Sequence, residues 1–179
     1  MSNLDELLAN AAAHQASFQD RVDVVSLSMS PRKGVTVITC VDPRVDPMAI
    51  FGFATGDAII IRVPGGRVTK EMIDEVLVAG IVAKHRAFGA RPVTNFLVVH
   101  HTQCAIASLA DDAIRAQVAG EMHGDPSHLE RLAIHSFEES LATDVELLRE
   151  DPRLSADAEV SGYVYDVETG QLTQVIAPQ

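Results

Sequence analysis

The chain of 179 residues contains two cysteines, Cys40 and Cys104, and both stand among residues that can act with them. Cys40 opens the segment Cys40-Val41-Asp42-Pro43-Arg44, and Cys104 closes His101-Thr102-Gln103-Cys104. An H-x-x-C spacing lets an imidazole and a thiolate reach one ion if a tight turn separates them. Two thiolates, one imidazole and a free fourth position form the catalytic type of zinc site rather than the closed structural type, and no third cysteine exists to close it. Other uses of the thiols compete with this reading. A buried, inert role is the commonest fate of a lone cysteine. A Cys-x5-Arg phosphatase loop fails because Asp46 holds the arginine position, and no Cys-x-x-Cys is present. A dithiol redox switch stays open.

Asp42 and Arg44 lie on one side of an extended segment with Cys40, by the alternation of side chains along such a backbone. Asp42 would then face the same ion, with its carboxylate gripped by the planar fork of Arg44. Pro43 fixes its own φ and biases Asp42 toward extended geometry. As an isolated surface ion pair the two would be worth little, so their place directly after a buried strand carries the functional reading.

The elements that must position these residues can be read from patterning. Residues 35–40 (VTVITC), 58–63 (AIIIRV) and 95–100 (NFLVVH) are nearly all apolar and β-branched, as in strands buried on both faces. Leu4 to Val22 reads as an amphipathic helix with Asn3 as its cap and Glu6 completing a capping box. A short apolar piece follows at 48–53. A long helix begins at a Thr69 cap and runs to Phe88, with Gly89 and Pro92 beyond it, and further helices are expected over 105–122 and 127–150. The chain closes on a hairpin, 161–167 and 171–177, turning at Glu168-Thr169-Gly170. Strands alternating with helices predict an α/β fold. Its mainly parallel central sheet has about four parallel strands and an antiparallel C-terminal edge strand, flanked by helices. The expectation is a single domain over 1–179, with 1–30 as an N-terminal helical arm. In such sheets ligands sit at the carboxyl ends of strands, where Cys40 and His101 fall.

Composition narrows the partners. Fourteen basic against 25 acidic residues give a net charge of −11, which repels phosphate backbones and anionic membranes and excludes nucleic acid as the main partner. No run reaches the ~20 apolar residues of a membrane span, and the first residues lack the features of an export signal, so a soluble, cytoplasmic protein is expected. Aromatics make up only 4%, so the core must be aliphatic. His100 is expected on the side of its strand opposite His101, in a satisfied core role. His14, His85, His123, His128 and His135 are expected as solvated or capping residues. Gly65-Gly66 matches no complete phosphate-binding motif, and the acidic stretch 138–151 reads as a solvated helix face.

Cys40-x-Asp42-x-Arg44 followed by His101-x-x-Cys104 resembles the signature of the beta-class carbonic anhydrase family. Arg62-Val63-Pro64-Gly65-Gly66 and the closing hairpin resemble that family's corresponding segments, in the same order. The resemblance implies one Zn2+ per chain held by Cys40, His101 and Cys104, with Asp42 and Arg44 as the catalytic pair. It also implies that the backbone of Ala105 faces the substrate. The reaction it implies is reversible hydration of CO2 to bicarbonate by hydroxide generated at the zinc. It implies a homodimer or larger homo-oligomer joined through the N-terminal helices. The alternatives are a zinc hydrolase of another small linear molecule such as CS2 or COS, and a zinc-binding homologue without catalysis. The sequence departs from the family pattern at Pro43, Val63, Pro64, Gln103 and Ala105. At Ala105 the usual residue is glycine, so a positive φ there would be costly.

Overall fold

The computed structural model describes residues 2–21, 30–86 and 93–179. Five strands form one sheet in the order β2-β1-β3-β4-β5: β1 (Val35–Cys40), β2 (Ala58–Val63), β3 (Asn95–His101), β4 (Glu159–Tyr165) and β5 (Leu172–Ile176). The first four run parallel and β5 is antiparallel to β4, which is the sheet the patterning predicts. The β2 run, apolar as in a strand buried on both faces, lies at the sheet edge and is only half-buried. An apolar run reports burial on the faces and says nothing about a free edge.

The chain leaves β1 for β2 on one side and reaches β3 on the other, so the crevice between β1 and β3 opens at their carboxyl ends. Register places Thr39 beside Val99, and the Thr39 hydroxyl donates to the Val99 carbonyl at 2.8 Å. Beneath the crevice Ile38, Phe96 and Val98 of the sheet pack with Val68, Met72 and Ile73 and with Leu141, Val145 and Leu148.

The helices are α1 (Asn3–Arg21), α2 (Pro47–Phe51), α3 (Lys70–Arg86), α4 (Asp112–Met122), α5 (Pro126–Leu132) and α6 (Phe137–Arg149). Several boundaries correct the sequence expectation. Asn3 is already helical, and Ser2 is the cap: its Oγ accepts from the Asp5 N–H while Asp5 accepts from the Ser2 N–H. The expected extension of α1 to Val22, and of α3 to Phe88, Gly89 and Pro92, lies outside the described residues. The expected helix 105–122 is a 3-10 segment, Ala105–Ala110, followed by α4. Asp111 breaks it by adopting extended backbone and accepting from the N–H groups of Ala113 and Ile114. The expected helix 127–150 divides into α5 and α6, because Ser136 turns extended to accept from Glu139 N–H and start a new helix. The hairpin strands begin at Glu159 and Leu172, slightly displaced from the predicted spans.

Candidate metal centre

β1 delivers Cys40 and β3 delivers His101 to the crevice between them. The turn from His101 to Cys104 requires a left-handed residue, and Gln103 takes that conformation at φ 55°. This turn brings the Cys104 sulfur to 3.9 Å from that of Cys40. The ligand atoms of Cys40, His101 and Cys104 all lie within 4.8 Å of one another, and the three residues are buried. Among the described residues no second His, Cys, Asp and Glu cluster of this kind occurs.

The His101 ring is fixed in the orientation a ligand needs. Its Nδ1 lies 2.9 Å from the Thr102 carbonyl, which can only accept, so Nδ1 carries the proton. Nε2 therefore bears the lone pair, and it is buried without a hydrogen-bond partner. Holding one ring nitrogen on a backbone carbonyl while the other turns inward is how proteins present metal-ligating histidines. Two sulfurs and an unpaired imidazole nitrogen form a donor set suited to a borderline-soft divalent ion such as zinc.

The sulfurs differ electrostatically. The neighbouring Cys104 thiol, joined by the backbone N–H groups of Asp42 and Gly65, draws Cys40 down to about 4 against the opposing effect of burial. Cys104 is pushed up, because it donates to the Cys40 thiolate and is itself desolvated. Gly66 makes the close packing possible. At φ +69° a Cβ would sit 3.1 Å from the Val99 carbonyl oxygen and 3.2 Å from the Cys40 nitrogen.

Asp42 borders the triangle, with Oδ2 3.9 Å from His101 Nε2. Its Oδ1 accepts from the Arg44 backbone N–H at 2.9 Å and from Arg44 Nε at 3.0 Å, and its Oδ2 accepts from Arg44 Nη2 at 2.8 Å. The guanidinium beside it holds the carboxyl well below the usual range. Ala105, exposed, starts the 3-10 segment after Cys104. The left-handed residue of this turn is Gln103 and not Ala105, so the expected backbone cost at Ala105 does not arise.

Sequence reasoning missed several participants. Arg62 donates to the carbonyls of Cys40 and Asp42, at 3.1 and 2.6 Å. Gln103 accepts from Arg44 through both its carbonyl, at 3.1 Å, and its amide oxygen, at 3.3 Å. Its amide nitrogen donates to Glu168 at 2.6 Å. Asp144, assigned to a solvated face, is completely buried and bonded to His100 and Arg67. Its spacing with Ser140, Leu141, Val145 and Leu148 set it on the apolar stripe of α6, and that signal could have found it.

The carbonic anhydrase family model matches residues 35–172, most of the chain and all of this site. The chain belongs to the beta-class carbonic anhydrase family. Beta-carbonic anhydrase 1 of Mycobacterium tuberculosis is 25% identical over 175 residues, 98% of this chain and 99% of that protein. The carbon disulfide hydrolase of an Acidianus species is 28% identical over 159 residues, 76% of this chain and 74% of that protein. The crystal structure of the carbonic anhydrase from Streptococcus mutans superposes with a TM-score of 0.75 at 29% identity, covering 98% of each chain. The Cys40, His101 and Cys104 cluster lies between β1 and β3.

Proposed function

We propose that this protein is a zinc-dependent carbonic anhydrase interconverting CO2 and bicarbonate, with Cys40, His101 and Cys104 holding the ion. The observation that carries the reading is the buried, unpaired Nε2 of His101 facing two thiols beside an arginine-held carboxylate. Zinc held by these three residues would supply Lewis-acid chemistry that makes water a nucleophile near neutral pH. The protein's own groups do the positioning. Asp42 is an acceptor-only carboxylate at working pH because Arg44 holds it ionised, and its Oδ2 takes a hydrogen bond from the attacking oxygen, turning a lone pair toward the carbon of CO2. Arg44 keeps that carboxylate from swinging inward. The backbone N–H of Ala105 serves the anionic product at the rim.

The hydrolase reading also has an observation in its favour. Carbon disulfide hydrolase is 28% identical to this chain and beta-carbonic anhydrase 1 is 25% identical, so identity does not separate CO2 from CS2. Stopped-flow CO2 hydration, run beside sulfide release from CS2 on protein holding about one zinc per chain, decides between them. Fast CO2 turnover is expected. Inactivity toward CO2 at both neutral and alkaline pH would overturn the proposal, and sulfide release in its place would establish the hydrolase.

The same reading carries a homo-oligomer and a cytoplasmic setting. Leu4, Leu7 and Leu8 of α1 stand 62, 63 and 61% exposed, an apolar stripe suited to a second copy. No helix among the described residues is long and apolar enough to cross a membrane.

A further inference from the structure

Behind the metal cluster lies a second buried group of charges that the proposed reaction does not use. Asp144 on α6 is fully buried, as is His100, and the Arg67 side chain is 8% exposed. Asp144 Oδ2 accepts from Arg67 Nε at 2.8 Å and lies 2.9 Å from His100 Nε2. Arg67 Nη1 also donates to the carbonyl of Ala133.

Each arm of this group ends on a part that shapes the triangle. Arg67 directly follows Gly65 and Gly66, the turn that gives an N–H to Cys40 and packs on its backbone. Ala133 precedes Ile134, which shares one buried cluster with the two cysteines. His100 precedes the ligand His101 on β3. One carboxylate, directly or through Arg67, thus ties together the turn over Cys40, the strand bearing His101 and the segment whose Ile134 is buried with the cysteines.

Stability alone accounts poorly for this arrangement. Burying an ion pair gains little over apolar residues of similar volume, and here His100 Nδ1 and Asp144 Oδ1 are left buried without hydrogen-bond partners. A fixed geometry among three separate chain segments is what the network provides and apolar packing would not.

We propose that Asp144 is a positioning residue for the metal centre, acting through Arg67 and His100 to hold Cys40, His101 and Cys104 in register. The proposal rests on the metal-centre reading above, and its test separates the two. Zinc affinity is measured by chelator competition on wild type, Asp144→Asn, Arg67→Gln and Val145→Ala. Visible spectra of the cobalt-substituted proteins and thermal unfolding of the metal-free proteins accompany it. Val145, adjacent on α6 and 1% exposed, reports the loss of core packing alone.

Asp144→Asn is expected to weaken zinc binding by about tenfold or more, the scale on which groups that orient metal ligands act, and to shift the cobalt bands. Arg67→Gln, which keeps Asp144 in place, is expected to move both readouts in the same direction and answers the question if Asp144→Asn fails to fold. Val145→Ala should lower the unfolding temperature without moving affinity or spectrum. Wild-type zinc affinity and an unchanged cobalt spectrum in the folded network variants would overturn the positioning role. Equal losses in Val145→Ala would overturn it too, by reducing it to stability. Wild-type protein that fails to retain zinc would instead overturn the metal-centre reading itself.

Discussion

Gly66→Ala tests whether backbone packing at the β1–β3 crevice, rather than side chains alone, sets the site. Gly66 and Gly52 have nearly the same left-handed backbone, φ +69° and +62°, yet a Cβ at Gly52 meets nothing within 4 Å. At Gly66 it would meet the Val99 oxygen at 3.1 Å, the Cys40 nitrogen at 3.2 Å and the Thr39 carbon at 3.3 Å. All three are main-chain atoms of central strands, so none can rotate away. Both substitutions bear the left-handed cost of about 1–2 kcal/mol, less some 0.4–1 kcal/mol returned by stiffening the unfolded chain. Gly66→Ala alone adds an overpacking term of about 1–3 kcal/mol. At 2–4 °C per kcal/mol for a chain of this size, the metal-free Gly66→Ala protein should melt roughly 2–12 °C below metal-free Gly52→Ala. The two are compared by thermal unfolding at matched protein concentration, which removes differences in zinc content and assembly. Because the added methyl presses on Cys40, zinc affinity should fall in Gly66→Ala and not in Gly52→Ala. Equal melting temperatures for the two would refute the contact argument.

Other expectations follow from the same geometry. Asp42→Asn should keep its zinc while CO2 hydration falls on the order of a hundredfold, the loss typical of one preorganised polar contact, read by stopped flow beside metal analysis. Because Arg44 depresses the folded pKa of Asp42, their pairing stabilises the protein above the unfolded value of about 3.9 and is lost as pH falls through the lower folded value; Arg44→Gln should therefore flatten the acid limb of a stability–pH curve. In a double-mutant cycle on kcat/KM, Glu168→Ala should lower turnover in the native background but not beside Gln103→Asp, where the aspartate can hold Arg44 directly, and equal effects in both would show the relay to be idle. Since Cys40 sits near 4 while Cys104 is held high, zinc uptake at neutral pH should displace about one proton, an affinity slope of about tenfold per pH unit; a hundredfold slope would mean that both thiols begin protonated.

What could be read from sequence was what depends on local pattern. Three apolar strands and a closing hairpin are written in residues adjacent along the chain, and the H-x-x-C and C-x-D-x-R spacings carry their geometry with them. The helix breaks were hidden because apolar residues continue across them. Asp111 and Ser136 interrupt the helices by capping the next one, and the second break lets Ile134 reach the cysteines. Asp144 was hidden for a different reason. The acidic run it belongs to masks its place on the buried stripe of α6, and its partner Arg67 lies 77 residues away, a pairing only the folded topology can make. Gln103 departs visibly from the family pattern, but its amide bridge to Glu168 spans 65 residues and depends on the same long-range closure.

The charges at the crevice bear on the competing fates of the thiols. A cysteine kept as an inert apolar filler needs no hydrogen bonds, yet Cys40 receives the N–H groups of Asp42 and Gly65, and Cys104 those of Ile106 and Ala107. Such donors favour negative sulfur. Among the described residues, the guanidinium beside the cluster, that of Arg44, is engaged by Asp42 and Gln103. His101 turns a lone pair, not a proton, toward the sulfurs. A hydrogen bond from the Cys104 thiol to Cys40 moves their pKa values in opposite directions. A redox dithiol would need the sulfurs alone and would leave the orientation of His101 without a purpose. A divalent cation would use all three donors and neutralise both sulfurs, leaving the Asp42–Arg44 pair intact beside it.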